Sequence, residues 1–277
     1  MVSNLTLISC IISLFITLLL PVIALSVLSF KNKGGKVVSA WALGAAGFFV
    51  TQILIRVPIL SALQEMPWFT HFSENYGFLF AFILAFTAGL FELAGRFVVA
   101  KMLSSKNLNY KRSLAAGMGH GGIEAMILVG ITYLSNILYI FMINGGTFDT
   151  VVNDAIQSGV DVSAILQVKD TLINTSPALF LLAGFERILA MTGHVAMSML
   201  VCYGIHIGKP LKCALICLGI HTLMDLTVGI NMLAGKAISQ TTAYVIIYAI
   251  LMVMTAVSLL IIRDIRHRWK ESEVIHV

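Results

Sequence analysis

Nine ionisable residues of this chain stand inside long apolar runs: Glu92, Arg96, His120, Glu124, Glu186, Arg187, His194, His221 and Asp225. A charge near the middle of a membrane-spanning helix costs about 2.5–3.5 kcal/mol on insertion scales. The six charged side chains together would cost on the order of 15–20 kcal/mol if nothing compensated them. They must pair, lose their charge or line a wet cavity. Glu92 and Arg96, His120 and Glu124, and His221 and Asp225 are each four residues apart, so each pair shares a helix face. Arg187 and His194, seven apart, share one too. Small residues crowd the same places, in GMGHGGIEA, LAGFER, TGHVA and GIH, where they let helices approach closely.

Such a set suits the activation of water. A glutamate in such a setting can take a proton from water as a general base. Two of the histidines with a carboxylate can hold zinc and leave a water on the open position. Without metal, the same imidazoles can position the water and steady an oxyanion. Either arrangement hydrolyses amide bonds. Other protease chemistries fit poorly, because His-Glu-x-x-His and Gly-x-Ser-x-Gly are absent and only one aspartate lies in an apolar run. Three other groups have structural readings. Glu92 with Arg96 reads as an ion pair locking its helix, Glu186 with Arg187 as interhelical glue or a site clamp, and Arg56 as a side chain snorkelling to the outer interface.

The elements that must position these residues are membrane helices. The chain of 277 residues is 58% hydrophobic and 11% charged, with a mean hydropathy of +0.94. Soluble domains carry roughly 25% charged residues. Seven stretches reach the ~20 apolar residues a crossing needs: about 4–29, 38–63, 76–101, 113–143, 177–205, 209–233 and 241–262. The expectation is an all-α, polytopic protein forming a single integral membrane domain over 1–277. Its first span reads as retained, since the run from Leu5 to Leu28 is too long for a signal-peptide core.

Loop charges alternate. Lys31, Lys33 and Lys36, then Lys101, Lys106, Lys111 and Arg112, then Lys209 and Lys212, then Arg263, Arg266, Arg268 and Lys270 fall on one side. Glu65, Glu74, Asp149, Asp154, Asp161 and Asp170 fall on the other, with Lys236. The positive-inside rule then puts the N-terminus outside and the C-terminus in the cytoplasm of a cell-membrane protein. The net charge of +5 is spent on these loops, so nucleic acid is not expected as a partner. With each span centred at ~1.5 Å per residue, Glu92, Glu124, His194, His221 and Asp225 fall within about 6 Å of the midplane. Cys10, Cys202, Cys213 and Cys217 read as buried, reduced residues. The loop of about 145–176 reads either as an outer amphipathic helix or as a partly ordered polar loop, and RDIRHRWKESEVIHV as a basic cytoplasmic tail.

The succession GHGGIEA (119–125), FER with a following GH (185–187, 193–194) and HTLMD (221–225) resembles the YhfC family of intramembrane proteases. That family is grouped with the CAAX-protease and bacteriocin-processing superfamily and with PrsW-like proteases. The resemblance covers most of the chain. It implies that Glu124, His194, His221 and Asp225 carry catalysis, with Glu124 taking a proton from a water held by His194 and His221 or joining them as a zinc ligand. It also implies that a membrane-embedded or membrane-adjacent peptide is the substrate and that zinc is a candidate cofactor. His120, Glu186, Arg187, Glu92 and Arg96 then support them. The superfamily pattern has a Glu-Glu pair with an arginine four residues on. Here Ile123 precedes Glu124 and residue 128 is leucine, which leaves Arg187 or Arg96 to supply the charge. From the residues alone, three other classes compete: a proton- or solute-coupled transporter, a haem protein with axial histidines, and a non-catalytic membrane binding protein.

Overall fold

A computed structural model describes residues 1–32, 35–105, 108–233 and 237–275, and Lys33, Lys106 and Lys236 lie outside them. Among the described residues there are helices and no strand. In chain order they are α1 (Asn4–Lys31), α2 (Lys36–Gln64), the short α3 (Pro67–Asn75), α4 (Gly77–Ser104) and α5 (Tyr110–Asn144). Then come the short α6 (Phe148–Gln157) and α7 (Ser163–Asn174), followed by α8 (Pro177–His206), α9 (Pro210–Asn231) and α10 (Gln240–Trp269). Seven of the described helices, α1, α2, α4, α5, α8, α9 and α10, are long and apolar enough to cross a membrane. The hydropathy reading therefore holds for their number and, to within a few residues, for most of their ends.

Local chemistry sets those ends. The Ser3 hydroxyl accepts from the Thr6 N–H at 3.0 Å and caps α1. Prolines open α3, α8 and α9, where a missing N–H costs nothing. Gly208, at φ 71°, supplies the left-handed residue between α8 and α9. Hydropathy could not reveal three π-helical segments, Phe15–Leu19 in α1, Phe49–Arg56 in α2 and Ala125–Gly130 in α5.

The chain groups into two compact units. One comprises residues 1–22 and 125–188. Its core packs Cys10, Tyr133, Ile137, Ile140, Leu172 and Phe180. The hydroxyls of Ser13 and Tyr133 both donate to the Phe180 carbonyl, at 2.8 and 2.7 Å. The 145–176 segment is neither one helix nor an open loop. It forms α6 and α7, broken at Gly159 with φ 76°, and buries Phe148, Val152 and Val162 against Tyr139, Met142 and Ile143.

The other unit comprises residues 23–124 and 189–277. Backbones come very close in it. A Cβ on Gly44 would meet the Ala116 carbonyl, and one on Gly119 the Trp41 carbonyl, so α2 and α5 touch main chain to main chain. A Cβ on Gly95 would lie 2.7 Å from the Gly47 carbonyl, which brings α4 against α2. The basic tail is also structured. The last helix continues to Ile275, and Ile265 and Trp269 are buried in this unit's core. The Trp269 ring stacks on His206 at 4.9 Å. All four cysteines are buried and free.

Candidate functional site

Every polar side chain of the site lies in the unit of residues 23–124 and 189–277. Glu92, 4% exposed on α4, is its hub. Its Oε2 lies 2.9 Å from Arg96 Nη2, 2.9 Å from His120 Nε2 and 2.7 Å from His221 Nε2. His194 Nδ1 is 3.6 Å from the same oxygen. Its other oxygen, Oε1, accepts from Gln52 Nε2 at 2.8 Å. The ion pair read from the sequence is present, but it is one spoke of a wheel whose other spokes are imidazoles.

Small residues make the convergence geometrically available. A Cβ on Gly121 would lie 2.9 Å from His194 Cβ, so α5 and α8 meet at the site itself. A Cβ on Gly89 would lie 3.3 Å from His221 Cβ, where α4 meets α9. The His120 and His194 rings stack at 5.4 Å, and His194 meets His221 edge to face at 5.5 Å. These packed rings have their nitrogens turned toward carboxylates and a guanidinium, an arrangement with no slot for a porphyrin between two axial imidazoles.

Tautomers follow from the partners. Arginine carries no acceptor, so Arg96 Nη2 donates to His194 Nδ1 at 2.6 Å. The ring nitrogen that His194 turns to Glu124 Oε2, at 2.8 Å, is then Nε2. His221 Nδ1 lies 3.2 Å from Asp225 Oδ2, the partner that i,i+4 spacing predicts. His120 and Glu124, the third such pair, contact different partners but stay in one cluster. Glu186 and Arg187 belong to the other unit, where Arg187 Nη2 donates to Glu186 Oε1. Arg56 does not snorkel outward. Its Nη2 donates to the Leu84 carbonyl at 2.7 Å and its Nη1 lies 3.4 Å from Gln52 Oε1.

The donor chemistry fits a divalent metal. Glu92, His120, Glu124 and His194 are all buried, and each offers a ligand atom within 4.8 Å of all the others. Two buried carboxylates gathered with imidazoles are the oxygen and nitrogen ligands such a cation takes. Three nitrogens, of Arg96, His120 and His221, also crowd Glu92 Oε2 within 2.9 Å, more than the two lone pairs of one oxygen can accept from. The set read from the sequence as metal-binding, His194, His221 and Glu124, thus shares two members with this group. His221 reaches it through Glu92. Beside it a cavity of about 10 Å³, lined by Arg96, His120 and Ser198, has room for one water.

Sequence reasoning missed Gln52, 5% exposed and pointing at Glu92 from the π segment of α2. The available signal was weak: one amide in FVTQILIR, an otherwise apolar turn ended by arginine.

A family model described as YhfC intramembrane metalloprotease matches residues 16–251. The chain belongs to the YhfC family. It is also 29% identical, over 182 residues, to the uncharacterized membrane protein YhfC of Bacillus subtilis (strain 168), a stretch covering 66% of this chain and 69% of that protein. No solved structure gives a significant match. For a YhfC-family chain with seven apolar helices, the setting is a membrane crossed several times. The matched residues include every member of the cluster, from Glu92 to His221.

Proposed function

We propose that this protein is an intramembrane metallopeptidase that cleaves peptide bonds of membrane-embedded or membrane-adjacent substrates. The observation that carries the reading is the buried quartet of Glu92, His120, Glu124 and His194, brought from three helices into one 4.8 Å cluster. Zinc would be held by Glu92, His120 and His194. His194 would use Nε2, because its Nδ1 accepts from Arg96. Zinc bound there would supply an activated water and polarise the scissile carbonyl.

The residues of the chain divide the remaining work. Glu92 would be engaged by the metal as well as by Gln52, Arg96 and His221, which leaves the role of proton acceptor to Glu124. Having taken the proton from water, Glu124 would return it to the leaving amine. Arg96 fixes the His194 ring, and Asp225 orients His221, which in turn steadies Glu92. Such outer partners typically govern ligand orientation and metal affinity. The loop charges support an outside N-terminus and a cytoplasmic C-terminus.

The test is metal content and peptide cleavage measured side by side on detergent-purified protein. Wild type should carry one zinc per chain, lost in His120→Ala and His194→Ala. Glu124→Gln should keep the metal and lose cleavage by about 10²–10⁴-fold. Full cleavage by a folded Glu124→Gln protein would sink the assignment of the base. A well-folded wild type without metal that still cleaves would remove the metal from the mechanism.

A further inference from the structure

A second cavity, of about 250 Å³, opens between α2, α4 and α9 of the same unit. Arg56 and Asp225 line it, together with Leu60, Leu84, Ala85 and Ala88. Asp225 is also the residue whose Oδ2 sits 3.2 Å from His221 Nδ1, so one wall of this cavity is the outer edge of the site. Among the described residues no ion pair joins Arg56 to Asp225. The Arg56 guanidinium is held toward α4 by the Leu84 carbonyl, and its buried Nε has no hydrogen-bond partner.

We infer that this cavity receives the unwound, apolar segment of a transmembrane peptide, with Arg56 and Asp225 binding its backbone and the Leu60–Leu84–Ala85–Ala88 surface taking an aliphatic side chain. The inference rests on the peptidase reading and names its substrate class. A helical peptide bond is shielded by its own hydrogen bonds, so a spanning substrate must unwind before hydrolysis. Unwinding orphans a carbonyl and an N–H in a place without bulk water, where neither can be left unsatisfied. A cationic donor and an anionic acceptor held apart across an apolar cavity answer both needs. Arg56 donates to the carbonyl and Asp225 accepts from the N–H. The volume falls short of the ~300–1,000 Å³ of sites for drug-sized molecules and suits one side chain with its peptide group. Ala85 and Ala88 keep it open, since any longer side chain there would fill it.

The test reads capture, not cleavage. The full chain, with Leu60 replaced by the photocrosslinker p-benzoylphenylalanine, is reconstituted in vesicles with a lysine-flanked Leu/Ala peptide of about 20 residues. A control carries the crosslinker at Val245, which is 65% exposed on α10. Capture from position 60 should exceed that from 245, saturate with unlabelled peptide, and fall about tenfold in Arg56→Gln and in Ala85→Phe. Equal, non-saturable capture from both positions overturns the inference. So does undiminished capture in variants that keep the wild-type melting temperature. If a variant misfolds, saturation in the parent protein decides alone. Capture without cleavage would keep this inference and remove the peptidase reading, and cleavage without capture at position 60 would do the reverse.

Discussion

Gln52→Leu is the substitution that tests the architecture most directly. Leucine has nearly the volume of glutamine and suits an apolar helix, so hydropathy predicts no penalty. The geometry predicts one. Gln52 Nε2 donates to Glu92 Oε1 at 2.8 Å and lies 3.3 Å from the Ala88 carbonyl. Removing it leaves a buried carboxylate oxygen without that donor. Hydrogen bonds to charged groups contribute about 1.5–3 kcal/mol. If Glu92 is a metal ligand, that loss converts to roughly 10–100-fold in zinc affinity, in line with other outer-partner substitutions. The assay is competition with a chromophoric chelator, using Ile53→Leu, one residue away, as control. Zinc affinity within about threefold of wild type, in a folded Gln52→Leu protein, would refute the view that Glu92 is a ligand tuned by its amide partner.

Three other outcomes are expected. Gly119→Ala should destabilise by about 1–3 kcal/mol, because its Cβ would press into the Trp41 carbonyl where α2 and α5 meet; thermal unfolding in detergent measures it. Trp269→Ala should cost about 3–5 kcal/mol and hasten tryptic cleavage at Arg263, since the buried indole holds the last helix onto His206 and Tyr203. The Asp161 carboxyl is held below its ordinary value by the Ser163 N–H and hydroxyl. Its contribution to the start of α7 is therefore present above the unfolded value and lost as pH falls through the folded one. Faster hydrogen exchange at the Ser163 amide below the usual carboxylate range, absent in Asp161→Ala, checks the sign.

The membrane helices were legible because a bilayer imposes a length and a hydropathy that few other settings share. So were the partners that share a helix: His221 with Asp225 and Glu92 with Arg96 sit where one turn puts them. What spacing within a helix does not report is which faces meet. Glu92 and His120 are 28 residues apart and Glu92 and His221 are 129 apart. Only the packing of α4 against its neighbours makes Glu92 the hub, where the sequence suggested Glu124. The glycines marked the close approaches without naming their partners. Gln52 was hidden for a further reason, since a π segment changes the register that an α-helical wheel assumes.

That segment, Phe49–Arg56, has a consequence for how the chain tolerates change. A π turn accommodates an added residue in an otherwise α-helical path. Deleting one residue there would restore the ordinary ladder and leave length, hydropathy and composition almost untouched. Residues beyond the segment would keep their facing, because the π turn already absorbs the extra residue. Those inside it would shift by about 100° per residue, taking Gln52 out of register with Glu92. The vulnerability of this centre is thus one of counting as well as of side-chain identity: a one-residue deletion here can do what no single conservative replacement does.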